Sequence, residues 1–304
     1  MPATLSKTWR VRFGVLAPTP LNVSISRALM GWIIVLLGAP CISPTPVAAE
    51  SSAVLESLGD LEGVEATTFD KKGNAVGTSS FQVVTEETGV RRMTVTMEIE
   101  GGGRNVSEAM LVPIPDTTAE TQSADQTVRP VGPRQSFRLL EQRAQATRAD
   151  GFAFERLVID HLKGRVSCYP PDGDLTNGRH IDLPEDDRVV NVTMPLLFLP
   201  LVTGEVDSVR FQVALCREGP VVHKMIAVRG PRSHHNGRDV IEIRYGPDVG
   251  RAVAWFASRL LPKFSFWFDA SDGAYLGHRM PLHRKGPDVV LVRQGLSPLD
   301  IGAD

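Results

Sequence analysis

Apolar and polar residues alternate along much of the chain, as they do in strands that bury one face. Residues 93–99 alternate without a break, and residues 209–216 place four apolar side chains on one side of an extended backbone. Short segments rich in Gly, Pro, Asp and Asn separate such stretches and predict turns. The pattern predicts a mainly β protein, built on a curved antiparallel sheet or an open β-barrel that one or two short helices cover.

One segment has the spacing of a helix instead. Pro247 and Asp248 suit a first helical turn. Apolar residues then recur at helical intervals from Val249 to Leu260, and Pro262 ends the pattern. The sequence therefore predicts a helix over residues 247–261.

Residues 192–202 form the apolar centre of the chain. The segment contains no charge, and Pro195 and Pro200 break any long helix there. It is also too short to cross a bilayer as a helix. The segment is either a plug of the hydrophobic core or one wall of a cavity for an apolar ligand. On the second interpretation, the candidate ligand-binding residues are Leu196, Leu197, Phe198, Leu199, Phe256 and Trp267.

Residues 1–49 have the layout of an export signal. They hold four basic residues and no acidic one, followed by an apolar run over residues 28–39 and small residues at Val47 and Ala49. That layout is typical of a signal peptide, with cleavage predicted after Ala49. About 12 apolar residues are too few to span ~30 Å of hydrocarbon. Lipid attachment at Cys41 is disfavoured because Pro40 precedes it. The sequence predicts a periplasmic or secreted protein, with no transmembrane span in the mature chain.

The rest of the chain divides by composition. Residues 50–112 read as an N-terminal β segment, and residues 113–135, rich in Pro, Thr, Ser, Asp, Gln and Glu, as a flexible loop or linker. Residues 136–304 read as the main curved sheet domain. Within it, residues 136–149 fit a helix or a strand equally.

Two cysteines, Cys168 and Cys216, follow the predicted signal. In an oxidising compartment such a pair forms a plausible disulfide. Two buried free thiols are the alternative, since the sequence does not give their separation in space.

Composition and motifs narrow the chemistry. With 33 Lys and Arg against 35 Asp and Glu, the chain has no basic footprint for nucleic acid. Common signatures of hydrolases, nucleotide-binding proteins and zinc enzymes do not occur. Segments 172–174 and 269–273 lack the calcium-loop layout and predict turns. We therefore predict no catalytic residue, no metal, no cofactor and no enzymatic activity. Asn105 and Asn191 stand in glycosylation sequons, which also arise by chance.

The C-terminal part carries a resemblance. Residues 266–269 (FWFD), Asp272-Gly273 and the apolar run 289–292, preceded by the predicted helix and strands, resemble periplasmic half-open β-barrel proteins. These include an uncharacterised exported family and, more remotely, the lipoprotein carriers LolA and LolB. The resemblance covers residues 136–296 and implies a curved sheet whose concave apolar face takes acyl chains. It transfers no functional residue.

Three functions follow as expectations. The first is a non-enzymatic envelope protein that binds or carries an acyl lipid or other apolar ligand. The second is a structural or assembly protein that acts through an envelope protein partner, and the third, least favoured, is a hydrolase of envelope material. A basic cluster of Arg279, His283, Arg284 and Lys285 allows peripheral contact with a membrane, although a solvated loop is the favoured explanation.

Overall fold

The structure, a computed structural model, describes residues 54–56, 61, 63–114, 136–171, 174–183, 188–249, 264–281 and 287–303. The predicted signal at 1–49 lies outside these residues, as does the predicted linker at 113–135 after its first two residues. The predicted helix 247–261 also lies outside them from residue 250 onward. Its described part is not helical: Pro247 is the last residue of a strand, and residues 248–249 have no regular secondary structure.

The described residues form one large antiparallel sheet, which confirms the predicted mainly β fold. Its strands are β1 (Val54–Glu56), β2 (Val64–Phe69), β3 (Ala75–Thr85), β4 (Arg91–Ile99), β5 (Gly103–Pro113), β6 (Ser136–Thr147), β7 (Arg156–Asp160), β8 (Arg165–Tyr169), β9 (Arg179–Asp182), β10 (Ser208–Cys216), β11 (Pro220–His235), β12 (Arg238–Pro247), β13 (Phe264–Asp269), β14 (Tyr275–Pro281) and β15 (Asp288–Arg293). Two short helices, α1 (Met194–Leu197) and α2 (Leu199–Thr203), and the 3₁₀ helix Pro298–Ile301 accompany them.

From β2 to β9 and from β10 to β15, strands that follow each other in the chain pair in the sheet, and a long-range pairing joins β15 to β2. The order is β10-β11-β12-β13-β14-β15-β2-β3-β4-β5-β6-β7-β8-β9, and β1 pairs with the start of β6. The sheet therefore has β10 at one edge and β9 at the other. Strands β2–β5, from the predicted N-terminal segment, lie in the middle of this sheet. Residues 136–147, which fit helix or strand by sequence, form β6.

The main core lies on one face of the sheet, the inner face, and the segment 192–203 packs against it. Helices α1 and α2 contribute Phe198, Leu199, Leu201 and Val202 around their junction, all fully buried. The Phe198 ring stands edge-on to those of Phe211 and Phe266, at centroid distances of 5.6 and 5.3 Å. The two helices are thus the cover that the sequence predicted, and their apolar residues plug the core.

The two end regions of the sheet overlap face to face. On β10, Phe211 packs in the main core, whereas Ala214 and Cys216, on the opposite face, pack against inner-face residues of β7 and β8. Because alternate residues of a strand point to opposite faces, β7 and β8 must lie over the outer face of β10. A disulfide between Cys168 on β8 and Cys216 on β10 joins the two layers, with Cα atoms 5.7 Å apart.

Residues 188–191 cover the free edge of β10. Gln212 donates its backbone N–H to the Arg188 carbonyl and accepts from the Val190 N–H, both at 2.8 Å. The side chain of Asn191 continues this pattern: its amide donates to the Ala214 carbonyl at 2.7 Å and accepts from the Ala214 N–H at 3.0 Å. A side-chain amide here takes the place of a strand partner, so the edge is satisfied without a full strand.

Gln142 of β6 anchors the same segment from the inner face. Its Oε1 accepts from the backbone N–H groups of Asn191 and Val192, at 2.8 and 3.1 Å. Its Nε2 donates to the Val189 carbonyl at 2.8 Å and lies 3.0 Å from Nε2 of His161. Gln142 is almost completely buried, and these four contacts match its two donors and two acceptor sites.

A second apolar cluster lies on the outer face of the sheet. It joins side chains of β12–β15 to Ile301 and Ala303 near the C-terminus, and its strand members are Val240, Trp267, Leu276, Val290 and Val292. The C-terminal segment thus covers part of the outer face, where Asp300 accepts from the backbone and side chain of Ser297 and closes a capping box.

The disulfide should stabilise the overlap of the sheet ends. We expect the variant Cys168→Ala/Cys216→Ala to lose about 2–4 kcal/mol of unfolding free energy, because the bond closes a long loop in the unfolded chain. Urea unfolding of the purified protein, with and without reductant, measures this. Reductant should lower the midpoint of the native protein but not of the double variant. If full reduction leaves the urea midpoint of the native protein unchanged, the disulfide does not stabilise the overlap.

We expect the buried side-chain amide of Gln142 to contribute far more to the free energy of unfolding than an exposed glutamine does. Gln142→Leu leaves three backbone groups of the 189–192 segment without their partner, and each such group costs about 1–3 kcal/mol. We expect a loss of about 3 kcal/mol or more in urea unfolding. Gln82→Leu, on the exposed side of β3, is the matched control and should change stability by no more than about 0.5 kcal/mol. Equal effects of the two variants would contradict the anchoring role.

Candidate functional site

A small cleft opens between the start of the plug and the inner face of the sheet. Val192, Met194 and Pro195 form one wall, and strands β3, β4, β5, β13 and β14 form the other. The cleft measures about 60 Å³ and is partly open to solvent. The lining residues are Phe81, Val95, Met97, Asn105, Ser107, Asn191, Val192, Met194, Pro195, Phe266, His278 and Met280. The surface is mainly apolar with a few polar groups, which is the usual character of a ligand pocket.

The alternation of the strands places these side chains. Phe81 pairs with Val95 across β3 and β4, and Val95 pairs with Ser107 across β4 and β5. Paired residues point to the same face of a sheet, so the three side chains form a row along the inner face. The plug faces this row because Gln142 fixes the backbone of Asn191 and Val192.

His278 of β14 is the most unusual polar group in the cleft. It is only 4% exposed, and its ring lies 5.0 Å from that of Phe266 and 5.9 Å from that of Tyr275. Nδ1 is hydrogen-bonded to the Tyr275 hydroxyl. Nε2 is buried and has no hydrogen-bond partner among the described residues. Burial lowers the pKa of His278 to about 3, so the ring is neutral at ordinary pH.

The polar residues that line the cleft include both asparagines of the two sequons. Asn105 lies in β5 and lines the cleft, where Ser107 donates to its Oδ1 at 3.2 Å. Asn191 is bonded through both ends of its amide to the backbone of Ala214. A glycan on Asn191 would break the cover of the β10 edge. The folded structure therefore disfavours glycosylation at Asn191, whose side chain has a structural role at the edge of β10.

The structure describes five of the six predicted ligand-binding residues. Leu196, Leu197, Phe198 and Leu199 are buried in the main core and do not line the cleft. Phe256 lies outside the described residues. Residues 196–199 therefore fill the core, whereas Val192, Met194 and Pro195, directly before them in the chain, line the cleft.

Trp267 lies on the outer face of the sheet and does not line the cleft. Its neighbours in β13, Phe266 and Phe268, pack in the main core, whereas Trp267 packs in the outer cluster. Arg279 lies 5.7 Å above its ring and donates to the Ala303 carbonyl at 2.9 Å. Arg279 of the predicted basic cluster is therefore engaged with the C-terminal segment, and residues 282–286 lie outside the described residues.

Sequence reasoning missed most of the cleft. The alternation of residues 93–99 marked one apolar face, and that face contains Val95 and Met97. The signal for His278 was weaker, because a histidine in a strand has no distinctive spacing. Only the fold brings β14 opposite β4 and β5.

Other polar groups have structural roles. Asp174 accepts from Thr176, and Asp269 from Ser271, in local turns as the sequence predicted. These hydrogen bonds hold the pKa values of both carboxyls below their usual range, against an opposing effect of burial that is the largest single influence on Asp269. Within the described ranges, no group of three His, Cys, Asp or Glu side chains could hold a metal ion. No described helix is long and apolar enough to span a membrane.

No protein family and no curated protein matches the chain. Among solved structures, the chain is similar to a beta-barrel-like protein of domain of unknown function DUF1849 from Brucella abortus. The identity is 10%, the similarity covers 81% of this chain and 98% of that chain, and the TM-score is 0.38. The fold described above rests on the strand pairing of this chain, without support from that similarity.

Two histidines, the buried His278 and the half-buried His161, should make stability depend on pH. Burial lowers the pKa of His278 to about 3 and that of His161 to about 4, so below pH 6.5 protons bind the unfolded chain first. Their contribution to stability is complete above pH 6.5 and is lost as the pH falls towards 4. For His278 the slope is at most about 1.4 kcal/mol per pH unit.

Histidine ring resonances in NMR, together with urea unfolding between pH 4.5 and 7, test this expectation. The unfolded protein in urea serves as the reference, since its rings titrate near 6.5. A His278 ring that titrates near pH 6.5 in the folded protein would contradict the neutral assignment.

Proposed function

We propose that this chain is an exported envelope protein that binds an apolar, acyl-type ligand in the cleft and has no enzymatic activity. The observation that supports the proposal is the cleft itself: apolar side chains from the plug and from four strands converge there, around few polar groups. A curved sheet with an apolar cover is a common way to enclose such a ligand. The sequence resemblance to LolA and LolB, which implies a concave apolar face that takes acyl chains, is consistent with this proposal.

The disulfide supports an extracytoplasmic site of action. A Cys168–Cys216 bond is compatible with an oxidising compartment, since cytosolic thiols are kept reduced. Together with the predicted signal at residues 1–49, it favours the periplasm or secretion. Acyl lipids and lipidated proteins are the partners that this location offers.

The size of the cleft limits what can enter without rearrangement. Ligand pockets usually measure about 300–1,000 Å³, whereas this cleft measures about 60 Å³. It therefore takes only the end of an acyl chain as it stands. Three methionines, Met97, Met194 and Met280, line it. Because methionine is unbranched and flexible, such walls adapt to a ligand at low cost, and a longer chain enters if Met194 and Pro195 move away from β4.

A second candidate function is assembly through the sheet edge. All four residues of β9 are exposed, and β9 pairs with β8 alone among the described strands. An exposed edge strand can pair with a strand of a partner protein. A stable complex that leaves the cleft empty would favour this candidate over ligand binding.

The first test is native mass spectrometry of the protein recovered from an oxidising compartment, with solvent extraction of the same sample. We expect a bound acyl lipid, or uptake of added lipid by empty protein. A protein that is empty and takes up no lipid would overturn the proposal.

A pair of neighbouring variants then places the ligand. Val95→Phe fills the cleft and should lower lipid uptake about tenfold or more. Thr94→Phe adds a ring on the opposite face of the same strand and should leave uptake unchanged. Equal uptake by both variants would exclude this cleft as the binding site.

A further inference from the structure

We propose that the ligand of the cleft is an uncharged amphiphile whose hydroxyl or other neutral polar head group forms a hydrogen bond with Nε2 of His278. This inference rests on the proposed function, because it names the class of ligand for the same cleft. Its test is arranged so that the two can fail separately.

The first support is the unsatisfied nitrogen. His278 is more than nine-tenths buried and lines the cleft, and its Nε2 has no hydrogen-bond partner among the described residues. Native structures satisfy nearly all buried polar side-chain atoms, so an exception at a cleft points to a missing group. A ligand atom in the cleft would supply that partner.

The second support is the geometry that aims the ring. Tyr275 is hydrogen-bonded to Nδ1, and Phe81 stands edge-on to the ring at 6.4 Å, while Phe266 packs across it at 5.0 Å. These contacts fix the ring and leave Nε2 as its free end. If the Tyr275 hydroxyl donates to Nδ1, then Nε2 carries the proton and donates; in the other tautomer it accepts. A hydroxyl group fits either case, because it both donates and accepts.

The third support is the absence of charge in the lining. None of the described side chains that line the cleft is a lysine, arginine, aspartate or glutamate. A carboxylate or an ammonium group would leave water for this apolar surface without a counter-ion, which is strongly unfavourable. The low pKa of His278 agrees with this, since a neutral imidazole cannot serve as that counter-ion.

The six methionines after the predicted signal provide the assay. Met97, Met194 and Met280 line the cleft, whereas Met93 and Met110 do not and serve as internal controls. We would label the methionine methyl groups with ¹³C and titrate the purified protein with 1-hexanol, hexanoate and hexylammonium at pH 7.5. We expect 1-hexanol to shift the three cleft resonances saturably, with an affinity at least tenfold higher than that of either ion.

Two variants assign the preference to the imidazole. Tyr275→Phe keeps the His278 ring and should keep the preference for 1-hexanol. Tyr275→Phe/His278→Phe replaces the pair with two aromatic rings and leaves no unpaired hydroxyl behind. It should weaken 1-hexanol binding about fivefold to tenfold, the range expected for one neutral hydrogen bond.

The outcomes separate the two proposals. If none of the three compounds shifts the cleft methionines, both the binding function of this cleft and the present inference fail. If hexanoate or hexylammonium binds as tightly as 1-hexanol, the cleft binds ligands but the neutral class is wrong. Undiminished 1-hexanol binding by the double variant would overturn the role of His278. If that variant fails to fold, the comparison of the three compounds in the native protein still tests whether the ligand is uncharged.

Discussion

The fold depends on how the edge strands of an open sheet satisfy the hydrogen bonds of their backbone groups. An edge strand exposes unpaired backbone groups, and a curled sheet that does not close must cover them in another way. Here β7 and β8, near one end of the sheet, lie over the outer face of β10 at the other end. Residues 188–191 lie along the edge of β10, and the Cys168–Cys216 bond joins the two layers. Two side-chain amides, from Asn191 and Gln142, supply hydrogen bonds that a neighbouring strand would otherwise make.

The position of the plug follows from that closure. Gln142 fixes the backbone at Asn191 and Val192, and the chain enters α1 directly afterwards. Phe198 then fills the centre of the core, while Met194 and Pro195 face strands β4 and β5 across the cleft. The hydrogen bonds that hold residues 188–192 at the edge of β10 therefore also position the plug and set the width of the cleft.

The cleft combines rigidity and adaptability. The aromatic residues Phe81, Phe266 and Tyr275 hold His278 in a neutral, buried position. Met97 on the sheet and Met194 on the plug present flexible side chains. A fixed hydrogen-bonding atom beside a deformable apolar wall suits a ligand with one small polar group and a variable chain. This arrangement is the physical basis of the binding function proposed above.

The alternation of residues predicted a mainly β chain, and segments rich in Gly, Pro, Asp and Asn predicted its turns. The uncharged run 192–202 predicted a core plug or a cavity wall, and the two cysteines after the predicted signal allowed a disulfide as one of two alternatives. Only the tertiary structure decided which face each residue occupies. In β13, Phe266, Trp267 and Phe268 are all buried, because the main core covers one face and the C-terminal segment covers the other. A period of two shows that neighbouring residues lie on opposite faces, but where both faces are buried it cannot show which one meets the cleft. For this reason the alternation did not indicate that Trp267 lies on the outer face, away from the cleft.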